Sequence, residues 1–126
     1  MPTINNVFSS DGLLAGAIKG FVPREAQTEM AKAVKRAIDT TGSLIVEAGT
    51  GTGKTFAYLA PALLSDGKAI VSTGTKNLQE QLFHRDLPLV KKALGSKRKT
   101  ALLKGRSNYL CLHRVAQHSG NSTLVE

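Results

Sequence analysis

The run Ala48-Gly49-Thr50-Gly51-Thr52-Gly53-Lys54-Thr55 restricts what this chain can become more than any other feature. A small residue, four free positions and Gly-Lys-Thr make a loop that cradles phosphate when a strand precedes it and a helix follows. Both flanks have that character. Ser43 to Ala48 is short, β-branched and mostly apolar, as buried parallel strands are. Lys54 to Leu64 carries Phe56, Tyr58, Leu59, Ala60, Leu63 and Leu64 and reads as a helix, with Pro61 placed to bend or shorten it. Gly49, Gly51 and Gly53 free the backbone so that successive N–H groups converge on an anion, and the positive end of the helix adds to that field. Lys54 is placed to neutralise β- and γ-phosphate charge, and the Thr55 hydroxyl to take one position on Mg²⁺. Ala48 stands where glycine is more usual, because the strand exit needs a small side chain more than a positive φ. These eight residues form the candidate nucleotide site, with Lys54 and Thr55 as its catalytic members and Mg-ATP as its ligand.

The elements around the loop alternate. Pro23 to Asp39 has Ala26, Met30, Ala33, Val34 and Ala37 at helical spacing, with Pro23 suited to a first turn, and Gly42 closes it. After the Asp66-Gly67 turn, Lys68 to Ser72 is a second strand, and Thr75 can cap a helix with Leu78, Leu82 and Phe83 on one face, which Pro88 interrupts. A third strand is expected at Thr100 to Leu103, and a last helix from about Asn108 to Gln117. Alternating strands and helices imply an α/β fold, a parallel sheet covered on both faces with ligands at the carboxyl ends of the strands.

At 126 residues there is room for one core. The apolar run Leu13 to Ile18 is too short to span a bilayer and lacks a basic leader and a convincing cleavage site, so a cytoplasmic address is the expectation. The single cysteine, Cys111, excludes an internal disulfide and leaves a core thiol, a nucleophile or a metal ligand. Charge is uneven. Residues 1–90 hold nine Lys/Arg against eight Asp/Glu, whereas 91–126 hold eight against Glu126 alone. Lys91, Lys92, Lys97, Arg98, Lys99, Lys104, Arg106 and Arg114 could lay a phosphate-attracting field on one surface, and they equally suit a solvated face.

A phosphate loop is shared by kinases, GTPases, transporters and helicases. Four segments together select among them: Phe21 to Gln27, Val46 to Thr55, Ser72 to Leu82 and Lys104 to Cys111. In this order they resemble the iron-sulfur superfamily 2 DNA helicases, within them the bacterial DinG-like branch, over about Leu13 to Arg114. The resemblance implies a RecA-like, three-layer αβα first motor domain, here incomplete. It divides the chain into a lead-in (1–20), the N-terminal part of the ATP-binding domain (21–104) and the truncated start of an iron-sulfur domain (105–126). It implies that Arg24 and Gln27 contact adenine, to which a Gln amide is matched in geometry. It also implies that Thr73, Thr75, Lys76 and Gln81 hold the phosphates of single-stranded or forked DNA, contacts that carry no sequence information, although Thr75 equally suits a plain helix cap. Cys111 matches the first of four cysteines that ligate a 4Fe-4S cluster in the full-length relatives.

The chain departs from the family pattern in lacking three of those cysteines, the Asp-Glu-x-His motif that holds Mg²⁺ and positions water, and the second motor domain with its arginine finger. Such a finger alone is worth about 10³ to 10⁵ in rate. The expectation is therefore an ATP-binding piece of a 5′-to-3′ DNA helicase with a role in repair or replication, itself without turnover and, by the family's strand order, weakly stable alone. The alternatives are another P-loop NTPase or kinase, or a non-catalytic module that binds nucleotide or DNA.

Overall fold

A computed structural model describes residues 2–119. Two short helices open the chain: α1 (Ile4–Phe8) and α2 (Leu13–Ala17). The Thr3 hydroxyl accepts from the Asn6 N–H at 3.3 Å, capping α1. Its apolar positions at i, i+3 and i+4 then fall on one face, and Ile4, Val7 and Phe8 are all buried. The first helix of the lead-in thus forms part of the core.

Helix α3 (Glu25–Asp39) follows, with Ala31 fully buried and ion pairs Glu29–Lys32 (3.0 Å) and Lys35–Asp39 (2.6 Å) on its outer face. It ends through Thr41, not Gly42, in the left-handed region (φ 52°), while the Gly42 N–H returns to the Ala37 carbonyl at 2.8 Å. Helix α4 (Lys54–Leu64) continues past Pro61, whose ring is buried. Helix α5 (Lys76–Gln81) is capped by the Thr75 hydroxyl, which accepts from the Leu78 N–H at 3.2 Å. The interruption expected from Pro88 takes the form of a π-helical turn, Leu82–Asp86, leading into α6 (Leu87–Leu94) with the proline in its first turn. Proline has no N–H to return to the preceding turn, and the ladder widens ahead of it. Gly95, left-handed at φ 61°, ends α6. A 3-10 turn at Arg106–Asn108 displaces the last helix, α7 (Leu112–Ser119), toward the C-terminus of its expected place.

Helices α1, α2, α3, α4 and α6 pack on one another around Val7, Phe8, Leu14, Ala57, Ala60 and Val90. The expected sheet is absent among the described residues. Segments 43–48, 68–72 and 100–103 carry no strand, and Ile45, Ile70 and Leu103 are 97%, 97% and 84% exposed. The physical reason is that a strand satisfies its N–H and C=O groups only on a neighbour, and the described residues provide none beside these three. No helix among the described residues is long and apolar enough to cross a membrane. Residues 120–126, part of the expected iron-sulfur domain, lie outside the described residues.

Candidate nucleotide site and nucleic-acid surface

The loop 48–53 joins the exposed segment before it to the N-terminus of α4. Gly51 (φ 76°) and Gly53 (φ 78°) occupy the left-handed region, which a side chain would strain. Gly53 is the residue that starts α4: its carbonyl accepts from the Ala57 N–H at 3.2 Å. The Thr52 hydroxyl donates to the Gly49 carbonyl at 2.9 Å, closing the turn on itself. The Lys54 ammonium donates to the carbonyls of Ala48 and Gly49, both at 2.6 Å, and so lies across the mouth of the loop. An ammonium has three N–H donors, and one remains for a phosphate oxygen. One turn along α4, Thr55 hydrogen-bonds Tyr58. Burial raises the Tyr58 phenol above its ordinary pKa, with the Thr55 contact opposing and the Asp86 carboxylate adding to the rise.

The structure places Gln27 against this loop. It is 4% exposed in the first turns of α3, and its Nε2 donates to the Gly53 carbonyl at 3.0 Å. Arg24, at the start of α3, is exposed. Sequence reasoning placed both residues near the nucleotide without finding the contact between Gln27 and Gly53. The signal available was a glutamine four residues before Ala31 on the inward face of an amphipathic helix.

The residues expected to meet DNA gather at α5. Thr73 donates to the Thr75 carbonyl at 3.3 Å, Thr75 caps the helix, and Lys76 is exposed in its first turn. Gln81, at the other end, donates to the Asp86 carboxylate at 3.3 Å. Asp86 was missed in the sequence. Its side chain is 5% exposed, and Arg85 Nε donates to its second oxygen at 2.9 Å, the pairing that a buried carboxylate requires.

The expected basic field divides in two. Arg98 donates to the carbonyls of Ser65 and Gly67, Lys91 donates to the Arg98 carbonyl at 2.6 Å, and Lys104 pairs with Glu80, which also meets His84 at 3.1 Å. The Lys104 ammonium holds the Glu80 carboxyl below its ordinary range. These three cations tie the chain to itself. Lys92, Lys97, Lys99, Arg106 and Arg114 stay exposed and keep a positive surface.

Cys111 is exposed immediately before α7, its carbonyl accepting from the Val115 N–H at 3.0 Å. Among the described residues no group of three or more His, Cys, Asp or Glu could hold a metal ion, and Cys111, the single cysteine of the sequence, offers one thiolate where a 4Fe-4S cluster takes four.

Comparison with known proteins places the chain in a family. The DEAD/DEAH box helicase family pattern matches residues 24–123. The chain is 64% identical over 114 residues to the ATP-dependent DNA helicase YoaA of Haemophilus influenzae, covering 90% of this chain and 18% of that protein. It is 62% identical over 112 residues to YoaA of Escherichia coli, covering 89% and 18%. Against the ATP-dependent helicase DinG of Mycobacterium tuberculosis it is 48% identical over 110 residues, covering 81% and 17%. The chain therefore spans less than a fifth of the length of these relatives. No solved structure matches it.

Proposed function

The chain belongs to the DEAD/DEAH box helicase family, and from that premise we propose that it is the ATP-binding N-terminal piece of a DNA helicase. The observation that carries this reading is the loop itself. Two left-handed glycines, Gly51 and Gly53, turn the backbone into the N-terminus of α4, and Lys54 closes the mouth. In this role the N–H groups of residues 49–55 and the third N–H of Lys54 bind the triphosphate. The Thr55 hydroxyl is one oxygen ligand for Mg²⁺, which bridges β- and γ-phosphate oxygens. Arg24 stands on the adenine side, with Gln27 one turn farther along α3.

Thr73, Thr75, Lys76 and Gln81, with the exposed cations Lys92, Lys97, Lys99, Arg106 and Arg114, form the surface for the backbone of single-stranded or forked DNA. The segments 43–48, 68–72 and 100–103 are strands of a RecA-like sheet whose neighbours belong to the longer protein, a piece that works in the cytoplasm. Cys111 is one thiolate of a 4Fe-4S set whose other ligands this chain does not hold. Since the chain has no Asp-Glu-x-His acid, ATP binding without turnover is expected of it.

The test is Mg-ATP binding by calorimetry to the whole chain and to Lys54→Ala, with and without single-stranded DNA at low and moderate salt. Affinity that falls at least tenfold in the variant and rises with DNA at low salt supports the helicase reading. Affinity indifferent to DNA at every salt favours a plain P-loop NTPase. No affinity in the folded wild type rejects the nucleotide site.

A further inference from the structure

We propose that Asp86 is a positioning residue that links the nucleotide site to the DNA surface, holding Gln81 on one side and the Tyr58–Thr55 pair on the other. Asp86 closes the π turn Leu82–Asp86, and its side chain is 5% exposed. A carboxylate buried this far needs partners, and it has one on each oxygen. Gln81 Nε2 donates to the first at 3.3 Å, and Arg85 Nε to the second at 2.9 Å. The bond from Gln81 spans five residues, the interval of a π turn, so it staples the wide turn and fixes where α5 stands against α6. A side-chain amide has two N–H groups. One goes to Asp86, and the other is available to a phosphate oxygen.

On its inner side the π turn packs on α4, with Leu82 in the core between them. There the Asp86 carboxylate acts on the Tyr58 side chain, and Tyr58 hydrogen-bonds Thr55. Thr55 is the residue whose hydroxyl is proposed as a ligand for Mg²⁺, so the last link reaches the nucleotide itself. A hydroxyl that gives a lone pair to a cation must point its proton elsewhere, and the Tyr58 oxygen is placed to accept it. Gln81, Asp86, Tyr58 and Thr55 thus run from the end of α5 to the start of α4. A shift of α5 on DNA moves the carboxylate, and with it the orientation of the Thr55 hydroxyl. Two ligands that bias the same contacts change each other's affinity by the same factor.

This inference rests on the reading that the chain binds both Mg-ATP and DNA, and the test separates the two. Dissociation constants of Mg-ATP are measured at low salt on the full 126-residue chain, with and without saturating single-stranded oligothymidylate. Their ratio is the readout. In the wild type it should be at least about fivefold, and Mg-ATP should strengthen oligothymidylate binding by the same factor. Asp86→Asn removes the charge and keeps the shape, and Tyr58→Phe removes only the phenol oxygen. Each should bring the ratio below about twofold. The double variant should lose no more than either single one, because both break one chain of contacts. Thermal unfolding shows whether each variant folds, and Tyr58→Phe carries the test if Asp86→Asn does not. A purely structural Asp86 would weaken both ligands or lower the Tm and leave the ratio as it was. A ratio unchanged in either folded variant, beside an enhanced wild type, overturns the proposal alone. Wild-type chain that binds Mg-ATP without any response to DNA overturns it together with the helicase reading, and wild-type chain that binds no Mg-ATP overturns the nucleotide site as well.

Discussion

The helical layer and the three irregular segments are both rich in apolar residues, and they have opposite fates. Val7, Leu14 and Val90 are fully buried, whereas Ile45 and Ile70 are 97% exposed. The difference lies in where each element finds its hydrogen bonds. A helix closes its backbone bonds within itself and needs one face covered, which α1, α2, α3, α4 and α6 do for each other. A strand must borrow its partners, and a parallel strand borrows them from distant sequence. The phosphate loop sits on the boundary between the two regions, with its outgoing end anchored by α4 and Gln27 and its incoming end continuous with segment 43–48.

The sharpest way to break this comparison is a pair of truncations measured by chemical denaturation. Leu14→Ala, in the core, should cost about 3 to 5 kcal/mol. Ile70→Ala should change stability by less than about 0.5 kcal/mol, as exposed positions do. A comparable cost at both sites would mean that segment 68–72 is packed. Next in size is the link between the regions. Arg98, half-buried, holds the carbonyls of Ser65 and Gly67 just beyond α4. Arg98→Met should lose about 2 kcal/mol, because two charge-assisted hydrogen bonds disappear. An unchanged midpoint would detach this loop from the helical layer.

A smaller effect tests α5. Thr75→Ala removes the cap on the Leu78 N–H and should cost about 1 kcal/mol. If Thr75 also holds a DNA phosphate, as proposed, affinity for single-stranded DNA falls with it, while Thr75→Ser retains both. The smallest effect is pH-dependent. Glu80 has its folded pKa lowered by Lys104, so its pairing stabilises the fold above the ordinary carboxylate pKa and fades as pH falls through the lowered value. Glu80→Gln should therefore melt slightly earlier than wild type at pH 7, and the gap should close in acid. A gap that widens on acidification would reverse the sign of this contact.

The sequence made the phosphate loop legible because every determinant is local, eight residues between two recognisable flanks. Helices α3 and α4 were legible within a few residues for the same reason. The first helix was not, although Thr3, Ile4, Val7 and Phe8 carry a cap and an i, i+3, i+4 face. Five residues are too few to be helical without tertiary support, and composition gave no sign of that support. The bond from Gln27 to Gly53 joins residues 26 apart, and no local pattern records it. The sheet failed for a related reason. The apolar runs 43–48 and 68–72 have strand character, but pairing is a property of two segments, and no strand pairing is present among the described residues. Among the eight tail cations, sequence could count charge but could not separate Arg98 and Lys104, which hold the chain together, from Lys97 and Lys99, which face solvent.

Amide hydrogen exchange with and without Mg-ATP tests the nucleotide site most directly, residue by residue. Amides of α3 and α4 should be protected in both states, those of 68–72 in neither, and those of Gly49 to Thr55 should gain protection when Mg-ATP is added. Unchanged exchange at Gly49 to Thr55 in saturating Mg-ATP, with α3 and α4 still protected, would contradict the nucleotide site on which the rest is built.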